Sequence, residues 1–307
     1  MREDCLWDGA GDPDPEVARL ERLLSEFRSR RPAPELPAGY RAALPRWSAI
    51  AAAVAVATAS AWLATRPAPL NTQVAALAVG QTVQTGAAAH ATVNIDDIGI
   101  IEVEPDSVLR MLRAGVHQHR MALERGVIHA LIWAPPRTFV VDTPSAVATD
   151  LGCRYTLQVR RDGSGLVTVE MGWVSFERNG RESLIPAGAA CQTRPGIGPG
   201  TPYRLDASPA FRQALEHFDL TGNDAALNVV LDEAVRDDAF TLWHLLARAR
   251  SEQALRVYET LARLAPPPAG ATPQAVLNGD RGVLDQWWDQ LGLGDSSWFR
   301  QHQGQWP

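Results

Sequence analysis

His117 and His119, in GVHQHR, are side chains whose type and spacing bring chemistry to mind: two residues apart on a strand they share one face, where imidazoles can ligate a metal. No third ligand lies nearby in sequence, and a solvated turn accounts for the pair as well. Glu102 and Glu104 share a strand face beside Asp106, and paired carboxylates can do acid/base work. On an exposed strand such pairs are ordinarily just solvated. GDSS (294–297) has the letters of a lipase nucleophile motif, but it follows a helical pattern instead of an early strand. The sequence contains no Walker loop, GxSxG or HExxH. The expectation is therefore a protein that is not an enzyme and has no catalytic residue, metal site or cofactor.

The elements that would position any site begin with RWSAIAAAVAVATASAWLATR (46–66), in which nineteen residues without a formal charge lie between two arginines. As a helix they would extend about 28 Å, close to the roughly 30 Å hydrocarbon core of a bilayer. Trp47 and Trp62 sit near the two ends, where aromatic rings favour the lipid–water interface. Arg28, Arg30, Arg31, Arg41 and Arg46 precede the run, whereas after Arg66 no formal charge appears until Asp96. That bias predicts a single-pass membrane anchor contacting lipid, with the N-terminus cytoplasmic and the C-terminal part carried across the membrane. A late-cleaved signal and a buried alanine-rich helix are the alternatives. Upstream, Asp14 is a candidate N-cap, Pro15 suits the first turn, and Val17, Leu20, Leu24 and Phe27 recur on one helical face. One helix alone cannot bury that stripe, so it needs a partner protein or a membrane surface, or it has no stable structure.

The 307 residues are 46% hydrophobic with a net charge of −6, enough apolar material for a real core, and no basic stripe for nucleic acid lies outside the arginines that flank the uncharged run. Every cation is arginine, which reads as coding bias. By the topology just argued Cys5 stays in a reducing compartment, while Cys153 and Cys191 reach an oxidising one. A Cys153–Cys191 disulfide would contribute about 3 to 4 kcal/mol; the alternative is two small buried apolar residues.

From about Leu70 to Leu205 short apolar runs alternate with period two: ATVNI (91–95), RMALE (120–124), VIHALI (127–132), FVVDT (139–143), CRYTLQV (153–159), LVTVEM (166–171) and WVSFE (173–177). RDGSG (161–165) and RNGR (178–181) read as hairpin turns. Beyond TRPGIGPGTPY (193–203) the period returns to 3.6, predicting helices near 208–220, 224–236, 238–249, 251–264, 273–278 and 281–291. Trp287, Trp288 and Trp298 in the last part can be read as a stacking platform for glycan or peptide, or as core anchors between helices.

QTG (84–86), DIG (97–99), PDS (105–107), LERG (123–126), PPRTFVVDTPSAVATDLGCRYTLQV (135–159), VEMGWVSF (169–176) and IPAGAAC (185–191) follow one another in an order that resembles the FecR family of membrane-anchored regulators. The resemblance covers roughly 80–195. It implies a cytoplasmic segment acting on an extracytoplasmic-function sigma factor, one span, and a β-rich periplasmic domain that receives a signal. Cys153 stands where the family has the threonine of L-G-T, a further reason to expect the bridge, and the C-terminal part carries helices. The expected architecture is multi-domain, β plus α. Residues 1–45 form a cytoplasmic segment with one amphipathic helix, 46–66 a transmembrane helix, 67–205 an all-β FecR-like domain, and 206–307 a C-terminal all-α helical-hairpin region. The expected function is modulation of a sigma factor, with an unidentified envelope partner on the periplasmic side. The alternative is an envelope module that binds cell-wall glycan or another envelope protein.

Overall fold

The computed structural model describes residues 70–74, 77–115 and 118–293. The stripe Val17, Leu20, Leu24 and Phe27, the span at 46–66, His117, GDSS and Trp298 lie outside the described residues. Among the described residues no helix is long and apolar enough to cross a membrane.

The strands are β1 (Leu70–Val74), β2 (Thr82–Gln84), β3 (Ala89–Ile95), β4 (Gly99–Val103), β5 (Val108–Arg113), β6 (His119–Ile132), β7 (Phe139–Asp142) and β8 (Val147–Asp150). They continue with β9 (Arg154–Val159), β10 (Gly165–Met171), β11 (Trp173–Arg178), β12 (Arg181–Pro186), β13 (Ala189–Arg194), and the two-residue β14 (Gly198–Pro199) and β15 (Tyr203–Arg204). One sheet has the order β1-β3-β4-β6-β9-β10-β13, with β14 and β15 both pairing β13; the other runs β2-β5-β6-β7-β8-β11-β12. All pairs are antiparallel except β1–β3 and β6–β7. Alternation decides which face is buried: Val167 and Val169 of β10, and Tyr155, Leu157 and Val159 of β9, point into one apolar core.

The two sheets share β6. Its buried residues are His119, Met121 and Leu123 in the first half, and Ile128, Ala130 and Ile132 in the second, so the inward phase slips by one residue between them. Gly126 makes the slip possible. Its φ is +104°, and a Cβ there would run into Ser107 Cα. Ser107 then completes the bend: its Oγ accepts the Val127 N–H at 3.0 Å and its own N–H donates to Thr85 Oγ1 at 2.9 Å. Thr85 Oγ1 in turn donates to the Glu104 carbonyl at 2.7 Å.

Among the described residues six helices follow: α1 (Pro209–Thr221), α2 (Asp224–Glu233), α3 (Ala239–Leu246), α4 (Ser251–Leu264), α5 (Pro273–Leu277) and α6 (Arg281–Gln290), with a 3-10 turn at Arg236–Asp238. Their starts are written locally. Ser208, Asn223, Thr272 and Asp280 each accept a backbone N–H of the first turn, and Pro209 and Pro273 occupy first-turn positions. Gly222 closes α1 in the left-handed conformation at φ 65°. The apolar faces of α1 (Phe211, Leu215), α2 (Val230), α3 (Leu242) and α4 (Leu261) enclose Trp287 in a second core. Phe240 and Trp288 do not belong to it; they pack into the β core.

Candidate functional site

The sheet and the helices meet at β12, which among the described residues pairs only with β11 and so is an edge of its sheet. Its hairpin with β11 turns on Asn179 and Gly180, at φ 53° and 76°, as the NG of RNGR predicts. An edge strand leaves backbone groups unpaired, and here side chains from the helical region take them. Leu184 N–H donates to His244 Nε2 at 3.1 Å, and Arg248 Nη2 donates to the Glu182 carbonyl at 3.0 Å and to Ser183 Oγ at 2.6 Å. Since His244 Nε2 accepts, its proton sits on Nδ1, which donates to the Phe240 carbonyl at 2.7 Å. Burial, with the nearby Arg248 charge adding to it, depresses His244 to about 3 and keeps the ring neutral.

Arg248 is itself buried, which lowers its guanidinium to about 10 against the opposing pull of Asp219. Asp219, on α1, collects the surrounding donors. Arg181 Nη2 lies 2.8 Å from its Oδ1, Thr201 N–H donates to Oδ2 at 2.5 Å, and Thr201 Oγ1 donates to Oδ1 at 2.8 Å. Arg248 Nη1 completes the set by donating to Thr201 Oγ1 at 2.6 Å. A buried cation needs such a network, because an unpaired charge in this position would cost several kcal/mol, of the order of 3 to 5.

Beside this network lies an aromatic cluster. The Trp288 ring is 4.7 Å from Trp243, 5.7 Å from Trp173 of β11 and 5.4 Å from His244. Trp243 Nε1 donates to the Leu284 carbonyl, and Trp287 Nε1 to the Ala265 carbonyl. Trp287 and Trp288 are 0% and 2% exposed, so the stacking-platform reading of these two is corrected: their rings are closed to a ligand, and they are the anchors of the two cores.

The disulfide expectation is also corrected. Cys153 and Cys191 are buried free thiols. Cys191 lies on β13 opposite Val167 of β10, which lies opposite Leu157 of β9, four residues beyond Cys153. Two strand spacings, about 10 Å, together with the offset along the strand exceed the reach of a disulfide. Each thiol has its own acceptor instead: Cys153 Sγ donates to Asp150 Oδ2 at 2.5 Å, and Cys191 Sγ to the Gly200 carbonyl at 3.2 Å. Burial pushes Cys191 up to about 12, and burial with the Asp150 charge pushes Cys153 up further, so neither is a nucleophile at neutral pH. The Asp150 carboxyl is raised to about 7 by burial, against hydrogen bonds from the Cys153 thiol and the Gly152 N–H that lower it.

The other candidates are dispersed. His119 Nε2 is 2.9 Å from Asp96 Oδ2. Glu104 lies between two imidazoles on the outer face of the first sheet, with His129 Nε2 at 3.2 Å from Oε1 and His90 Nδ1 at 3.4 Å from Oε2. Among the described residues no group of three or more His, Cys, Asp or Glu is arranged to hold a metal ion. A cavity of about 590 Å³ opens beside β13 and the helices, with Ala187, Leu205, Phe240 and Leu291 as apolar lining and Arg204 and Arg236 as polar lining. Sequence reasoning missed His244, Arg248 and Asp219, which carry the junction; four-residue spacing of a His and an Arg after an apolar run was the available signal.

The blocks quoted from the sequence pair with one another in space. LERG meets PDS through Gly126 and Ser107, and Gly172 of VEMGW lies against the Gly152 carbonyl of DLGC so closely that a Cβ would collide with it. Ser145 of DTPS shares a 2.5 Å hydrogen bond with Thr193. Residues 81–175 match the family described as FecR protein. The chain carries a FecR domain. Two crystal structures of a candidate anti-sigma factor from Parabacteroides distasonis ATCC 8503, at 1.65 and 2.50 Å resolution, are similar at 15% identity and a TM-score of 0.36. Each comparison covers 44% of this chain and 63% of that one, less than two thirds of its length. No curated protein matches the chain.

Proposed function

We propose that this FecR-domain chain is a non-catalytic, single-pass inner-membrane regulator whose cytoplasmic segment modulates an extracytoplasmic-function sigma factor. Residues 1–45 act in the cytoplasm, 46–66 span the membrane, and the FecR-like domain (67–205) and helical region (206–307) face the periplasm. The observation that carries this reading is the FecR domain at 81–175 following an uncharged nineteen-residue run with arginines concentrated on its N-terminal side. Two experiments test it. A reporter active only outside the cytoplasm gives signal when fused after Leu205 and none when fused before Arg46; the reverse pattern removes the anchor. In a pull-down, the segment 1–45 recovers a sigma factor, and Leu20→Asp with Leu24→Asp lowers the affinity at least a hundredfold, about 2.7 kcal/mol. Equal recovery by both shows that the stripe is not the contact.

The cavity beside β13 favours a second reading, an envelope module that binds cell-wall glycan or another envelope protein. Its volume of about 590 Å³ falls in the range of ligand sites, and it combines apolar walls with charged groups of both signs, Arg204 and Arg236 beside Asp206 and Asp237. Recovery of no sigma factor by segment 1–45, with saturable binding of glycan fragments to the full chain, selects this reading.

A further inference from the structure

The uncharged run closes at Arg66, and β1 begins four residues later at Leu70. Fully extended, four residues reach about 14 Å. A surface that the run enters therefore lies close to the end of the first sheet at which β1 starts. The pairings identify that end. Leu70 stands beside Ala89 at the start of β3, and Ala91 of β3 faces Val103, the last residue of β4. Farther across, Gly126 of β6 faces Val159, the last residue of β9, which in turn faces Gly165 at the start of β10. Gly165 faces Thr193 near the end of β13. The bend at Arg125 and Gly126, the hairpin turn 160–164 and the turn 195–197 all lie at this end.

Arginines gather there. Arg160 and Arg161 are exposed in the hairpin turn, and Arg161, Arg125 and Glu124 line an open recess of about 560 Å³. Among the described residues no hydrogen bond or ion pair holds Arg125 or Arg161. Two neighbouring carboxylates are engaged: Glu124 Oε1 lies 3.5 Å from Arg110 Nη2, and Asp162 Oδ1 accepts the Ser164 N–H at 2.9 Å and the Ser164 hydroxyl at 2.6 Å. Asp106 is the exposed carboxylate that remains.

We propose that this end of the first sheet rests on the bilayer, with Arg125, Arg160 and Arg161 against anionic phospholipid head groups. The proposal rests on the single-pass reading above. Three arginines make a weak lipid site for a free protein, but an anchor four residues away makes the encounter intramolecular and holds the charges where the surface potential is felt.

The test uses the full-length chain carrying Cys5→Ser and Ile197→Cys, labelled with a fluorophore at position 197; Cys153 and Cys191 are buried and stay unlabelled. Position 197 follows β13, six strand spacings or about 29 Å from β1, so the tether alone does not bring it to the surface. The protein is placed in vesicles of neutral phosphatidylcholine or of an equal mixture with phosphatidylglycerol, each with a quencher on the head groups. Quenching is expected to be about threefold stronger in the mixture and to fall to the neutral level at high salt. Arg125→Gln with Arg161→Gln should lower it likewise, with an unchanged circular dichroism spectrum. Equal quenching in the two lipids, or strong quenching that the folded variant keeps, overturns the contact while flotation with neutral vesicles still upholds the anchor. A chain that does not float with neutral vesicles overturns the anchor and the proposal with it. Inorganic phosphate that abolishes the quenching where chloride at equal ionic strength does not assigns the arginines to a free anion and overturns the lipid contact. Should the variant fail to fold, the lipid and salt dependence of its parent decides.

Discussion

His244 accepts the Leu184 N–H on Nε2 at 3.1 Å while donating its Nδ1–H to the Phe240 carbonyl at 2.7 Å, so both bonds hold only while the ring is neutral. Its pKa is depressed from 6.5 to about 3. Between those values the unfolded chain binds a proton that the folded chain refuses. The stability contributed by the neutral ring is therefore complete above pH 6.5 and is lost as pH falls toward 3. His244→Gln should remove about 2 kcal/mol of the change in unfolding free energy between pH 7 and pH 5, measured by urea titration. An unchanged pH profile in the variant would contradict the neutral cap.

Asp150 acts in the opposite direction. Burial raises its carboxyl from 3.8 to about 7, so the folded state holds a proton that the unfolded state has released. That contribution is fully present below pH 3.8 and disappears as pH rises through 7. Asp150→Asn should cancel a loss of roughly 2 to 3 kcal/mol between pH 5 and pH 7. In wild type the two residues offset each other, and the expected result is a shallow profile that tilts one way in His244→Gln and the other in Asp150→Asn.

Cys153 and Cys191 should both react with a thiol reagent in denaturant without prior reduction, because both are free thiols and β10 lies between β13, which carries Cys191, and β9, which follows Cys153. Cys153→Ala leaves Asp150 Oδ2 without its donor and should cost about 1 to 3 kcal/mol. Cys153→Thr restores a donor at that position and should recover most of the loss. A mobility difference between reduced and unreduced protein would overturn this assignment.

Gly126→Ala places a Cβ against Ser107 at a φ of +104° and should cost about 3 kcal/mol or more by thermal or urea unfolding. Trp288→Ala empties the meeting point of Trp173 and Trp243 and should cost about 3 to 5 kcal/mol. Trp288→Phe keeps the packing and gives up only an indole N–H that lacks a hydrogen-bond partner, so it should cost less than half as much.

The local rules of the chain were readable. LVTVEM and WVSFE are β10 and β11, RNGR is their neighbouring hairpin turn, and the six helices lie close to the predicted spans because caps such as Ser208 and Asn223 are local signals. RMALE and VIHALI are one strand, not two. Gly126 has the look of a breaker in sequence, and only the approach of Ser107 shows that it bends the strand without ending it. The bridge between Cys153 and Cys191 failed on topology: nothing in either segment reveals that β10 lies between them. The junction was hidden for a related reason. Arg248 reads as a solvated charge until Asp219, Thr201 and β12, distant in sequence, are brought around it.

β6 runs through both sheets as a single fourteen-residue strand. Ordinary face-to-face sheets are held together by side-chain contact and can in principle separate first and melt later. Here a continuous polypeptide crosses from one to the other, so loss of register in either half strips ladder partners from the same strand in the other half. Calorimetry of the β region should accordingly register one endotherm, with equal van't Hoff and calorimetric enthalpies, and no step in which one sheet outlives its neighbour.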